Sequence, residues 1–336
     1  MFIALDKSNL RQIICDLPNQ YLSALDFSKN IRVRKRFNNV IVSGMGGSAL
    51  PADIVKVYLE SVHEKIPIYV NRDYTLPFIT NKKSLILISS YSGNTEESLC
   101  VFQEALKKKL KIVGFTSGGK LERLCKQNGL PLVKYPKKGP NFQPRMAYGY
   151  AFTSMISVLA NSGLIADRSK DIIDLAKFLK KLDLEKKGKA IGKSLAGYIP
   201  VFYSSEKYLM AVSRINKIKI NENSKTPSFF NAFPELNHNE MVGFTNFSDK
   251  FHIIIFQDPQ DHVRIQKRMK ITAELLKKKG CRVTLIKMQG KSILEKIFSS
   301  LLLGDWISYY LALELGQDPT PVKMVENFKE KMRGKS

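Results

Sequence analysis

Short, continuously apolar runs alternate with helical segments along this chain, and that alternation restricts the fold more than any other feature. Asn39–Ser43, Pro67–Val70, Ser84–Ser89, Lys111–Thr116 and Pro131–Val133 read as strands, with Pro51–Ser61, Glu96–Lys109 and Lys120–Asn128 as helices between them. A strand that is apolar on both faces has no side to offer to water, so it belongs in a parallel sheet covered by helices above and below. The pattern resumes after helical stretches at 145–163 and 169–187: strands at Ile199–Tyr203, His252–Phe256 and Arg282–Ile286, helices at about 262–279 and 291–315. The expected class is α/β, two doubly wound parallel-sheet domains packed together. Residues 1–34 form a helical lead-in, 35–165 the first domain and 166–336 the second, with the boundary in the polar segment Asp167–Gly188.

At 336 residues the chain is long enough for two such domains to bury a core each. Met1–Lys7 lacks the basic-then-apolar pattern of a secretory leader, and the longest apolar tract, Met146–Ala166, is interrupted by Gly149, Gly163 and hydroxyl residues. Both point to a cytoplasmic protein with no membrane partner. Cys15, Cys100, Cys125 and Cys281 are scattered without the spacing of a metal knuckle and read as structural thiols of a reducing compartment; no metal and no cofactor are expected. The formal charge of +24 raises nucleic acid as a partner. Its lysine runs (Lys107–Lys109, Lys180–Lys181, Lys277–Lys279) fall on or after helices as solvated faces do, without a recognition motif beside them, so no nucleic-acid partner is expected. The positive field would still draw in an anionic substrate such as a phosphate ester.

Two loops suit such an anion. Ser43-Gly44-Met45-Gly46-Gly47-Ser48-Ala49 leaves the first strand and enters the helix opened by Pro51, and glycine lets backbone amides approach a ligand at a helix start. A dinucleotide turn would read GxGxxG; here Ala49 stands in the last glycine position. Ser89-Ser90-Tyr91-Ser92-Gly93-Asn94-Thr95-Glu96-Glu97 leaves the third strand, and Ser90, Ser92 and Thr95 around Gly93 can surround a doubly charged phosphate. An ordinary helix cap at Asn94 or Thr95 would account for one polar side chain of this loop, not for all of them.

A third polar region, Asn221-Glu222-Asn223 and then Pro234-Glu235-Leu236-Asn237-His238-Asn239-Glu240, holds a carboxylate and a histidine in a chain with four histidines. These are the side chains most readily tuned to exchange protons near neutral pH. Glu222 could instead pair with Lys217, Lys219 or Lys225, and His238 could be a surface histidine beside Glu235 and Glu240. His63, His252 and His262 have no comparable surroundings of asparagine and glutamate.

Gly46-Gly47-Ser48 and Ser90-Tyr91-Ser92-Gly93-Asn94-Thr95 resemble the sugar isomerase (SIS) domain. Asn221-Glu222-Asn223-Ser224-Lys225, Pro234–Asn239 and the closing Asp318-Pro319-Thr320-Pro321-Val322 resemble the bifunctional phosphoglucose/phosphomannose isomerases, over about residues 35–330. The resemblance implies a metal-free enediol isomerase that interconverts glucose 6-phosphate or mannose 6-phosphate with fructose 6-phosphate. It implies Glu222 as the base that moves the proton, His238 as the group that opens the sugar ring and Arg145 as the cation beside the enediolate. Gly46, Gly47, Ser48, Ser90, Ser92 and Thr95 would hold the phosphate. Thr320 would make room for both C2 epimers, and a C-terminal lysine, Lys329 or Lys323, would reach the site. It also implies a homodimer with shared active sites, in which the histidine segment reaches the partner's site. Tyr148-Gly149-Tyr150 after Arg145 departs from the more usual aliphatic residues. The alternatives are a non-catalytic sugar-phosphate-binding regulator, or a ketose-phosphate aminotransferase-type isomerase; neither the extra DNA-binding module of the first nor the ammonia-generating domain of the second is apparent.

Overall fold

A computed structural model describes residues 5–139, 141–246, 248–332 and 334. Residues 1–4, on which part of the leader reading rests, lie outside them. In chain order the elements are α1 (Leu10–Cys15), α2 (Leu17–Ser28), β1 (Asn39–Gly44), α3 (Leu50–Ser61), β2 (Ile68–Asn71), β3 (Ser84–Ser89), α4 (Glu96–Lys107), β4 (Lys111–Thr116), α5 (Gly119–Gln127), β5 (Leu132–Lys134), α6 (Tyr148–Asn161) and α7 (Ser169–Lys180). There follow α8 (Glu185–Ser194), β6 (Ile199–Ser205), α9 (Arg214–Lys219), β7 (Phe229–Phe233), α10 (Glu240–Gly243), β8 (Phe251–Gln257), α11 (Val263–Lys278), β9 (Arg282–Lys287), α12 (Ile293–Glu314) and α13 (Lys323–Met332). The chain forms two compact units, one of Cys15–Leu182 with Ser292–Glu295, the other of Met1–Ile14, Asp183–Lys291 and Lys296–Ser336. The division falls inside 167–188, after Leu182 where the sequence reading set it after 165; α7 stays with the first unit because it packs on α2.

The N-terminal unit is a five-stranded sheet in the order β2-β1-β3-β4-β5, every pair parallel. β1 and β3 are buried at every position, as strands covered on both faces must be. One face packs Ile41, Ile86 and Ile88 against Val101 and Phe102 of α4 and Leu121 of α5. The long apolar tract becomes α6, buried from Tyr148 to Leu159 between α2 and α3. Among the described residues no helix is long and apolar enough to cross a membrane.

The C-terminal unit repeats the plan with the order β7-β6-β8-β9, again all parallel. β7 is an edge strand that the sequence reading passed over, since Phe229 is exposed and Pro227 and Pro234 flank a run of only five residues. The expected helix at 169–187 is two helices, and Glu206–Ser224 is helical almost throughout, passing from a tight 3-10 turn through a π turn into α9 and a second π turn at Ile220–Ser224.

At the C-terminal ends of β6 and β8 a buried cluster closes the unit: Asp258 pairs with Lys296 at 2.7 Å and accepts the Tyr208 hydroxyl at 2.6 Å. Burial opposes the charge on Asp258, but the Lys296 ammonium, the Tyr208 hydroxyl and the Gln260 amide outweigh it and hold the carboxyl down at about 2. A carboxylate with a depressed folded pKa stabilises fully above its unfolded value, about 3.9, and loses that stabilisation as pH falls through the folded value. Asp258→Asn should therefore lower the urea midpoint at pH 7, where Lys296 loses its counter-charge, and flatten the acid dependence between about pH 4 and 2. An unchanged acid slope would mean that Asp258 is not the titrating group.

Candidate functional site

In the N-terminal unit the strand order reverses between β1 and β3, leaving a crevice at their C-terminal ends where doubly wound sheets bind ligands. Both glycine- and hydroxyl-rich loops lie there. Gly46, with φ of +48°, Gly47 and Ser48 form a 3-10 turn after β1. A Cβ on Gly47 would sit 2.4 Å from the backbone nitrogen of Arg145, so the Pro144–Met146 turn presses directly on this loop. Arg145 is buried there, and its guanidinium is a fixed positive charge inside the unit.

Hydrogen bonds tie the two loops together. The Tyr91 amide donates to Ser48 Oγ at 3.0 Å, and Ser89 Oγ donates to the Ser48 carbonyl at 2.8 Å. In the second loop the Gly93 amide donates to the Ser90 carbonyl at 3.0 Å, and the Asn94 amide donates to Ser92 Oγ at 3.3 Å. Gly93 has φ of +67°, and a Cβ on it would meet the Gly118 carbonyl oxygen at 1.8 Å, so the turn admits glycine alone.

Thr95 precedes α4 but makes no side-chain cap bond; its hydroxyl lies 2.8 Å from Ser90 Oγ. The Asn94 side chain accepts from the Lys120 amide. Simple capping therefore does not explain this loop. The structure brings Gly46, Gly47, Ser48, Ser90, Ser92, Thr95 and Arg145 into one unit, with Ser92 exposed, Thr95 half-buried and Ser90 buried.

The C-terminal unit carries the acid–base candidates. Glu222 sits half-buried in the π turn that continues α9, a turn ended by Lys225 at φ of +54°. π turns are rare and recur at functional sites. Glu222 lines a cavity of about 600 Å³ with Asn221, Lys225, Asp318, Pro321 and Lys323. Lys225 Nζ donates to the carbonyls of Asn223 and Asp318, fastening the Glu222 turn to the C-terminal segment. Thr320 is buried, and its amide donates to Asp318 Oδ1 at 3.0 Å. Of the two candidate lysines, Lys323 lines this cavity; Lys329 lies on the exposed surface of α13. Lys219, considered as a partner for Glu222, is paired with Asp305 at 2.7 Å.

His238 ends a 3-10 turn, Glu235–His238, and is exposed; it is not among the residues that line the Glu222 cavity. Its surroundings are fixed on both sides. Glu240 receives the Tyr203 hydroxyl and the Asn231 amide, and Asn237 Nδ2 donates to Thr272 Oγ1 at 2.8 Å. Sequence reasoning missed Asp305 and Ser308, whose partners Lys219 and Asn223 lie far away along the chain.

The fold is a pair of parallel-sheet α/β units of the SIS type. The C-terminal domain of glucosamine-fructose-6-phosphate aminotransferase from Francisella tularensis superposes with a TM-score of 0.75 at 12% identity, over 93% of this chain and 98% of that one. The model of the bacterial phospho-glucose isomerase C-terminal SIS domain matches residues 184–332. Bifunctional phosphoglucose/phosphomannose isomerases from Caldicellulosiruptor bescii and Aquifex aeolicus are each 36% identical, over 95% and 88% of this chain and 97% and 91% of their own lengths. The chain belongs to the bifunctional phosphoglucose/phosphomannose isomerase family.

Proposed function

We propose that the protein is an aldose–ketose isomerase that interconverts glucose 6-phosphate or mannose 6-phosphate with fructose 6-phosphate. The observation that carries this reading is the 36% identity to a bifunctional phosphoglucose/phosphomannose isomerase along nearly the full length of both chains. The substrate phosphate sits on the Gly46–Ser48 and Ser90–Thr95 loops. His238 assists the opening of the ring. The Glu222 carboxylate then takes the C2 proton, the carbonyl at C1 becomes an enediolate, and Arg145 holds its negative charge. Glu222 returns the proton to C1 while the C2 hydroxyl proton passes to the C1 oxygen, which leaves the ketose with its carbonyl at C2. Pinned among Glu222's neighbours through Asp318, Thr320 leaves room for either C2 epimer. His238 is exposed and outside the Glu222 cavity, and α13 exposes Met324, Phe328 and Met332. Both features suit a homodimer with shared sites.

The test is direct: purified protein with fructose 6-phosphate should yield both glucose 6-phosphate and mannose 6-phosphate without glutamine or ammonia. Binding of fructose 6-phosphate without either product would establish a regulator instead. Within that assay, Ser90→Ala/Thr95→Ala should raise KM by about 10- to 100-fold and change kcat by less than about threefold, because a phosphate remote from the reacting carbons is held alike in ground and transition states. Inorganic phosphate should compete in the parent and lose most of that effect in the variant. A parent-like KM would reduce the Ser90–Thr95 pair to a scaffold for its own turn.

A further inference from the structure

The helical segment that carries Glu222 is fastened to α12 by a row of buried polar contacts that the proton transfer does not use. At its first rung Asn216 lies so close to Gly304 that a Cβ there would meet Asn216 Oδ1 at 1.5 Å. At the second, Lys219 Nζ donates to the Leu301 carbonyl at 2.7 Å and pairs with Asp305 at 2.7 Å. At the third, Asn223 Nδ2 donates to Ser308 Oγ at 2.9 Å, and Ser224 Oγ donates to the Ser308 carbonyl at 2.8 Å. Ser308 Oγ is itself committed as a donor to the Asp305 carbonyl, 3.0 Å away, so its orientation is set. The rungs climb both helices in step.

Lys219 is 1% exposed. A buried ammonium is a costly way to join two helices, because the charge gives up its water and recovers that loss only through well-placed partners. Desolvation pulls the Lys219 pKa down and Asp305 opposes it. Apolar side chains would join the helices without that loss, but they tolerate sliding, whereas directional contacts specify one register. Register matters here because the backbone widens into the π turn between the second and third rungs, and Glu222 hangs from that turn.

We propose that Lys219 and Asp305, flanked by the Asn216–Gly304 and Asn223–Ser308 contacts, are positioning residues that hold the Glu222 carboxylate where it faces the sugar. This rests on Glu222 being the base. In Lys219→Met/Asp305→Leu an apolar pair of similar size takes the place of the ions, so the chain should melt close to the parent. KM should stay within about twofold and kcat should fall about 30-fold, inside the ~10²-fold that an ångström of misplacement costs. A folded double variant with parental kcat overturns the proposal. If the double variant does not fold, Ser308→Ala removes one hydroxyl and should lower kcat about fivefold at unchanged KM; parental kcat there overturns it equally. Glu222→Gln measured in parallel separates the two ideas. Inactive Glu222→Gln beside a fully active double variant refutes positioning alone. Active Glu222→Gln refutes the base, and hydrogen exchange of amides 220–224 then decides: faster exchange in the double variant supports the seam as the brace of this turn, and unchanged exchange overturns it.

Discussion

Replacing Glu222 with glutamine should lower kcat by about 10³-fold, within the range that a positioned general base contributes, and leave KM within about threefold. The amide has the carboxylate's shape, so Asn221, Lys225, Asp318 and Lys323 keep their places around the cavity, and the buried seam behind the turn is untouched. What is lost is the capacity to take a proton from C2 and return it to C1. The loops proposed to hold the phosphate belong to the other compact unit and do not depend on this side chain for their own hydrogen bonds, which is why affinity should persist. Glucose 6-phosphate and mannose 6-phosphate should suffer alike, since both pass through the same enediolate. In deuterated water the parent should exchange the C2 hydrogen of its substrate and the variant should not. Turnover within tenfold of the parent would remove Glu222 from the chemistry.

The strands at the centre of each sheet were legible because a strand covered on both faces carries an unbroken apolar run; Val40–Val42 of β1, Leu85–Ile88 of β3, Val201–Tyr203 of β6 and Ile253–Phe256 of β8 supply it. β7 escaped notice for the converse reason. As an edge strand it meets water on one side, and FFNAF between prolines carries no continuous apolar signal. The geometry of the glycine- and hydroxyl-rich loops was readable because the features that build them, glycine where φ is positive and hydroxyls near a helix start, are local. The π turn at Ile220–Ser224 has no such signature. Its contacts with Ser308 of α12 are long-range, and Lys219 and Asp305 meet only once the chain has folded back through β7, α11 and β9. The choice between Lys323 and Lys329 was likewise open in the sequence, as both follow Thr320 on one helix; the turn of the chain at Asp318–Val322 brings Lys323 to the Glu222 cavity.

His238→Ala should lower kcat/KM on glucose 6-phosphate by about 10²-fold, the scale of a lost general acid–base group. Its loss on erythrose 4-phosphate should be less than about fivefold, because that aldose has its O4 esterified and has no ring for His238 to open. Glu222→Gln should fail on both substrates, since every aldose must still pass its C2 proton. The comparison separates ring opening from proton transfer: equal losses for His238→Ala on the two substrates would end that division of labour, and parental rates on both would remove His238 from the site. The geometry adds a second readout. His238 is exposed at the end of its turn, and Tyr203, Asn231 and Thr272 hold the residues around it, so an alanine there should melt with the parent. A folded, inactive His238→Ala chain can then be mixed with a folded, inactive Glu222→Gln chain. If each site takes its histidine from the neighbouring subunit, a mixed dimer contains one site with both defects and one with neither. Random mixing should then restore roughly a quarter of parental activity, because about half of the dimers are mixed and each has one of two sites intact. No recovery in dimers verified as mixed would place Glu222 and His238 of each site on one chain.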